Sequence, residues 1–178
     1  MIYLDHQATT PLAPEAKDAM LPWLGGAETL SFGNPHSSHR LGRQAAAAVE
    51  VARDQVAALL PQGGRVIFTS GATEALNLAI RGSRAGREGA SMAISAIEHT
   101  AVLRTAEAVA GELTLLPVDD QGLVDPQVEL PGDVALVSVM QVNNEIGTIL
   151  PVDALGERAR AAGALFVCDA VQGAGKIA

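Results

Sequence analysis

Apolar residues recur along this chain with two periods. Short apolar-rich runs at 66–68, 90–96, 112–118, 134–140 and 164–168 alternate with stretches in which apolar positions return every three or four residues, at 14–24, 45–60, 75–80, 98–109 and 152–162. The first pattern predicts strands and the second amphipathic helices. Punctuation agrees: Gly25-Gly26, Pro61-Gln62-Gly63-Gly64, the basic, glycine-bearing connection over 81–89, Gly111, Asp119-Asp120-Gln121-Gly122 and Gly163 fall between the segments. In the helix over 45–60, Val49, Ala52, Val56, Leu59 and Leu60 mark the expected buried stripe. The run over 134–140 has no polar alternation, which predicts a strand covered on both faces. Residues 2–4 read as a short strand or extended arm, 5–11 as a polar loop, and 31–43 as a loop rich in turn formers and side-chain donors. From about residue 65 strands and helices alternate, which predicts an α/β fold with a mostly parallel sheet between two helical layers.

Composition narrows the possibilities. With 178 residues, 48% of them hydrophobic and only 3% aromatic, the chain suits one aliphatic-cored domain or most of one. A net charge of -8 with 12 Lys and Arg argues against a nucleic-acid surface. No apolar run is long enough to span a membrane, and the N-terminus lacks the pattern of a secretory leader, so the expected location is cytoplasmic. The single cysteine, Cys168, excludes an internal disulfide or a cysteine-cluster metal site. At the end of a predicted strand, it reads as a small buried hydrophobe.

In a parallel α/β sheet, ligands collect beyond the carboxyl ends of the strands. Four predicted strands end in polar groups: Ser70-Gly71-Ala72-Thr73, Glu98-His99, Gln141-Val142-Asn143-Asn144-Glu145, and Asp169 with Gln172. At the first, the free N–H groups of a helix start and the Thr73 hydroxyl suit a phosphate, held at Gly71, Ala72 and Thr73. An ordinary small-residue cap explains that turn equally well. His99 alone reads as a cap, Asp169 alone as a turn former, and the Asn pair as a self-bonded loop. A pyridine cofactor accounts for the whole set. Asp169 would hold a proton on the ring nitrogen, His99 would stack on the ring, and Asn144 and Gln172 would donate to its phenolic oxygen. That cofactor is pyridoxal 5'-phosphate.

Six ordered segments carry a family resemblance. Leu4-Asp5-His6-Gln7-Ala8-Thr9-Thr10-Pro11, Phe32-Gly33-Asn34-Pro35-His36-Ser37, Phe68-Thr69-Ser70-Gly71-Ala72-Thr73-Glu74, Glu98-His99, Val142-Asn143-Asn144-Glu145-Ile146-Gly147 and Asp169-Ala170-Val171-Gln172 resemble the cysteine desulfurases of the NifS and IscS type. These are class V, fold-type I pyridoxal phosphate enzymes. The resemblance implies a three-layer sandwich, with an arm and helix over 1–30 and an incomplete large domain over 31–178. It implies phosphate contacts from Ala72 and Thr73, stacking by His99, contacts from Asn144 and Gln172, and a ring-nitrogen partner in Asp169. The implied reaction takes sulfur from L-cysteine, leaving alanine and an enzyme persulfide, with the sulfur passing to iron–sulfur clusters or tRNA thiolation.

The lysine that would hold the cofactor's aldehyde and the nucleophilic cysteine belong, by the same resemblance, to later segments. Neither is among these residues: the only lysines are Lys17 and Lys176, and Lys176 reads as non-catalytic. The expectation is a cofactor-binding N-terminal half, inactive in isolation, with an apolar sheet edge that needs covering. A homodimer, or a heteromer with a C-terminal half, would cover it, and a sulfur-acceptor protein is a further partner. Selenocysteine lyase or another class V enzyme is the nearest alternative activity, and a non-catalytic desulfurase-like interaction subunit is the alternative outside enzymes. A metal site from His6, His36 and His39 lacks a supporting carboxylate or cysteine and is not expected.

Overall fold

Ser91-Met92-Ala93-Ile94-Ser95 forms strand β1 (Ser91–Ser95), and all five residues are buried. Such a strand has no face to turn to water, so it needs neighbours on both edges and layers on both sides. Strand β2 (Leu113–Leu116) pairs with one edge, β3 (Val134–Ser138) with the other, and β4 (Leu165–Val167) pairs with β3. All three pairings are parallel. The computed structural model describes residues 2–60, 63–83 and 89–177, and these divide into two compact units, 1–68 and 69–178.

The second unit contains the sheet. Helices α3 (Ala72–Gly82) and α4 (Thr100–Val109) cover one face, where Leu76, Ile80, Val102 and Ala106 pack on Met92, Ile94 and Leu136. Helix α5 (Val152–Ala161) lies on the other, where Leu155 and Ala159 join Ala93, Val137 and Val139. Alternate strand residues enter opposite clusters, which is the period-2 geometry of a pleated strand. The result is the expected three-layer arrangement. β1 continues through α4 to β2 on one side, whereas β3 continues through α5 to β4 on the other.

The first unit holds α1 (Pro14–Met20), two single-turn 3-10 helices and α2 (Arg40–Ala57). Helix α2 begins five residues before the expected start at 45. The cause is a cap: His39 Nδ1 accepts from the Gly42 N–H at 3.2 Å, and Asn34 holds the preceding turn by accepting from the His36 N–H at 2.9 Å. Gly42 is required by proximity, since a Cβ there would lie 2.2 Å from the Ser37 carbonyl oxygen. Among the described residues no three His, Cys, Asp or Glu gather as a metal site.

Several expectations are corrected. The stripe of α2 is not buried: Val49, Ala52, Val56, Leu59 and Leu60 are all exposed, and only Gly42 and Ala45 of this helix are buried. The apolar face over 14–24 is likewise exposed, and its helix ends at Met20, passing into a 3-10 turn at Leu21–Trp23. Residues 2–4 form no strand. Neither do 66–68, where Ile67 is 69% exposed. An apolar run becomes a strand only when another backbone takes up its N–H and C=O groups. Here the Val66 carbonyl instead accepts from the Arg53 guanidinium, which also stacks on Phe68. Pro61, Gln62 and residues 84–88 of the expected breaks lie outside the described residues.

Cys168 is a further correction. It is exposed rather than buried, one residue beyond edge strand β4. Its sulfur is nevertheless partly desolvated. That burial, followed by the charges of Asp169, Glu98 and Asp153, pushes the thiol from 9.0 to about 11. The folded value lies above the unfolded one, so this contribution to stability is present below the unfolded value and is lost as pH rises through about 11.

Two outcomes follow from this packing. Leu136→Ala, at a fully buried site in β3, should cost about 2–5 kcal/mol in urea unfolding, whereas Val49→Ala on exposed α2 should stay within about 0.5 kcal/mol. Equal losses would mean that α2 is buried after all. At about pH 8, alkylation of Cys168 in the folded chain should be roughly tenfold or more slower than in urea, because the thiolate is scarcer. Matching rates would remove the raised thiol from the account.

Candidate active site

Helix α3 starts without a side-chain cap. Gly71 is extended, and the first backbone bond of the turn runs from the Ala75 N–H to the Gly71 carbonyl at 3.1 Å. The N–H groups of Ala72, Thr73 and Glu74 therefore precede the helical ladder and have no acceptor within it. Thr69 donates its hydroxyl to the Gly71 carbonyl at 3.0 Å, and the Glu74 carboxylate accepts from the Ser70 N–H at 2.6 Å. Hydrogen bonds from the Ser70 side chain and backbone hold the Glu74 carboxyl below its ordinary range. A Cβ on Gly71 would meet nothing within 4 Å, so the start of the helix is open.

Thr73 faces a groove of about 370 Å³ between α3 and α4. Asn77 and Arg81 continue the α3 wall at four-residue spacing, and His99, Thr100 and Arg104 belong to the α4 wall. His99 caps α4, with its Nδ1 accepting from the Ala101 N–H at 3.1 Å. In a neutral ring this leaves Nε2 as the donor. The groove thus joins two of the expected site residues, Thr73 and His99, from helix starts 28 positions apart.

Asp169, Asn144 and Gln172 do not line that groove. They follow the carboxyl ends of β3 and β4, where the ladder extends beyond the strands through the bond from the Gln141 N–H to the Asp169 carbonyl at 2.9 Å. Asp169 is buried and accepts from the Val171 N–H at 3.0 Å. The Asn144 amide donates to Glu145 at 3.0 Å, and Gln172 accepts from the Lys176 ammonium at 2.8 Å.

Two side chains carry more of the local structure than their sequence context announced. Glu98 accepts from the Ser95 hydroxyl at 2.6 Å and the Met140 N–H at 2.7 Å, and its second oxygen lies 3.4 Å from the Ser138 hydroxyl. Burial pushes its carboxyl upward against the first two of those bonds, and the charge of Asp169 pushes it further. Asn143, not its neighbour Asn144, holds the loop together. A carboxylate three residues after a strand with an apolar centre was the available signal for Glu98. Nothing local distinguishes the two asparagines.

Comparison with known proteins places this geometry. The family model Aminotransferase class-V matches residues 2–178. The chain is 42% identical over 185 residues to cysteine desulfurase IscS of Dictyoglomus turgidum, covering 99% of itself and 46% of that protein. It is 45% identical over 188 residues to the mitosomal cysteine desulfurase of Encephalitozoon cuniculi, covering 99% of itself and 43% of the relative. Among solved structures, SspA in complex with cysteine superposes with a TM-score of 0.83 at 32% identity, over 93% of this chain and 49% of that one. DndA of Streptomyces lividans gives 0.76 at 39% identity, over 99% and 51%. The chain spans about half the length of the curated relatives it matches. With the family model matching residues 2–178 and its fold shared with these structures, the chain belongs to the aminotransferase class-V family.

Proposed function

We propose that this chain is the cofactor-binding N-terminal half of a pyridoxal phosphate-dependent cysteine desulfurase. The observation that carries the proposal is the single groove shared by Thr73 and His99. The donor set suits the cofactor. The Ala72 and Thr73 N–H groups and the Thr73 hydroxyl at the start of α3 match a phosphate dianion, an exposed imidazole offers a ring face, and a buried carboxylate offers a partner for a pyridine nitrogen. When bound, the cofactor supplies an electron sink for the carbon next to the substrate amine.

The chain's own residues have separate tasks in this proposal. Ala72 and Thr73 bind phosphate beside Gly71, His99 fixes the plane of the ring, Asp169 keeps the proton on the ring nitrogen, and Asn144 and Gln172 donate to the ring oxygen. Lys176 is engaged with Gln172, which supports a structural role for it. The lysine and cysteine that complete the reaction come from a second chain or from a C-terminal part of the same protein. The relatives' names favour cysteine over selenocysteine as substrate. Division into 1–30 and 31–178, a cytoplasmic location, a homodimer or heteromer, and a sulfur-acceptor partner belong to this same proposal. Among the described residues, no helix is long and apolar enough to cross a membrane. The exposed Ile2, Leu4, Leu24 and Leu59 favour a protein partner, whether or not that partner completes an enzyme.

Phosphorus NMR of pyridoxal phosphate titrated with the chain should show saturable binding, weakened roughly tenfold to hundredfold by Thr73→Ala, the usual worth of a hydrogen bond to a charged group. The chain alone should release no sulfide from cysteine. Adding a C-terminal half taken from a matched relative should restore both the cofactor's visible band and sulfide release. Turnover by the isolated chain would contradict the proposal. Absence of any cofactor band in the mixture would favour the non-catalytic interaction subunit.

A further inference from the structure

The sheet order singles out one gap. β1 and β3 lie side by side, but their chains leave toward α4 on one face and α5 on the other, so their carboxyl ends diverge. Divergence of this kind makes room for a ligand. It also ends the ladder that would hold the two chain ends in register.

Two side chains span the gap in opposite directions. From the β1 side, Glu98 takes the Ser95 hydroxyl and reaches across to the Met140 N–H, 42 positions away, at 2.7 Å. From the β3 side, Asn143 donates through Nδ2 to the Ile97 carbonyl, 46 positions away, at 3.0 Å. Its Oδ1 accepts from the N–H groups of Glu145 and Ile146 at 2.8 and 3.0 Å, which ties its own loop to the same point. Each anchor immediately precedes a residue assigned above to the cofactor: His99 follows Glu98, and Asn144 follows Asn143.

We propose that Glu98 and Asn143 form a reciprocal clasp that sets the spacing of His99 and Asn144 across the β1–β3 gap. Both are positioning residues, acting through their neighbours rather than on the cofactor, and the inference rests on the cofactor assignment above. Thr73, on α3, takes no part in the clasp. The clasp therefore governs how the ring is held and leaves the phosphate contact alone.

The test uses the full chain, labelled for NMR, with pyridoxal phosphate and inorganic phosphate as separate probes. Glu98→Ala and Asn143→Asp should each displace both the His99 ring and the Asn144 side-chain amide resonances. They should weaken pyridoxal phosphate by about tenfold or more, the effect of a small misplacement, and change inorganic phosphate by no more than about twofold, since the sites are separate. Glu98→Gln keeps an oxygen for Ser95 and Met140, so it should restore the resonances and bring affinity within about threefold of wild type. The clasp is refuted if Glu98→Ala moves only His99, if Gln is as damaging as Ala, or if both ligands weaken together. Should Glu98→Ala not fold, Asn143→Asp and Glu98→Gln carry the comparison. If the wild-type chain binds no pyridoxal phosphate, the functional proposal fails, while paired displacement of the His99 and Asn144 resonances still decides the clasp.

Discussion

Burial of β1 on every side is the constraint from which the rest of the second unit follows. Its five residues offer no polar face to solvent, so two parallel neighbours and two layers must enclose them. Parallel pairing places the carboxyl ends of all four strands at one edge, and the α4 and α5 connections run over opposite faces. The polar residues collect where those two conditions meet. Ser95, Ser138, Asn143 and Asp169 are buried there and Glu98 is partly buried, in a sheet otherwise built of aliphatic side chains.

That edge concentrates negative charge. The charge of Asp169 raises the cost of ionising Glu98, and both push up the Cys168 thiol. Hydrogen bonds from Ser95 and Met140 work against that cost at Glu98. A cationic group docked at this edge would offset that negative charge, since opposite charges a few ångströms apart attract. A protonated pyridine ring has this character, whereas a second anion at that point does not. The uncapped helix start lies instead at α3, so the proposed cofactor would meet different environments at its ring and its phosphate.

The first unit is organised on another scale. Its order comes from backbone-to-backbone turns around Gly33, Asn34 and Gly42 and from the His39 cap, not from an apolar core. The aliphatic side chains that would make such a core are at the surface, with Ile2 and Leu4 each 86% exposed. Edge strand β4 likewise carries an exposed Leu165. Exposed apolar area of this extent is costly for a chain by itself and is the ordinary mark of a surface that meets protein.

Much of the sheet was legible because its information is local. The runs over 90–96 and 134–140 carry no charged residue and only small serines among their apolar positions, a pattern that burial on both faces explains, and β1 and β3 lie within them. Helices α3, α4 and α5 were equally legible from spacing, and α3 and α4 also from the polar residues before them. The family resemblance came from six short motifs, each readable without its neighbours. Other features depend on partners distant in sequence. Residues 66–68 have the composition of a strand, but no described backbone completes their hydrogen bonds. The stripe of α2 has the spacing of a buried face, but no described residue buries it. The difference between Asn143 and Asn144, identical in type and adjacent, exists only because the Ile97 carbonyl lies within reach of one of them. Periodicity determined which segments could be strands or helices, since that depends on side chains three or four residues apart. Only the tertiary structure decided which were paired, which were covered, and which polar groups met across the gap, since those depend on contacts between residues distant in sequence, from Met92 with Leu113 to Asn143 with Ile97.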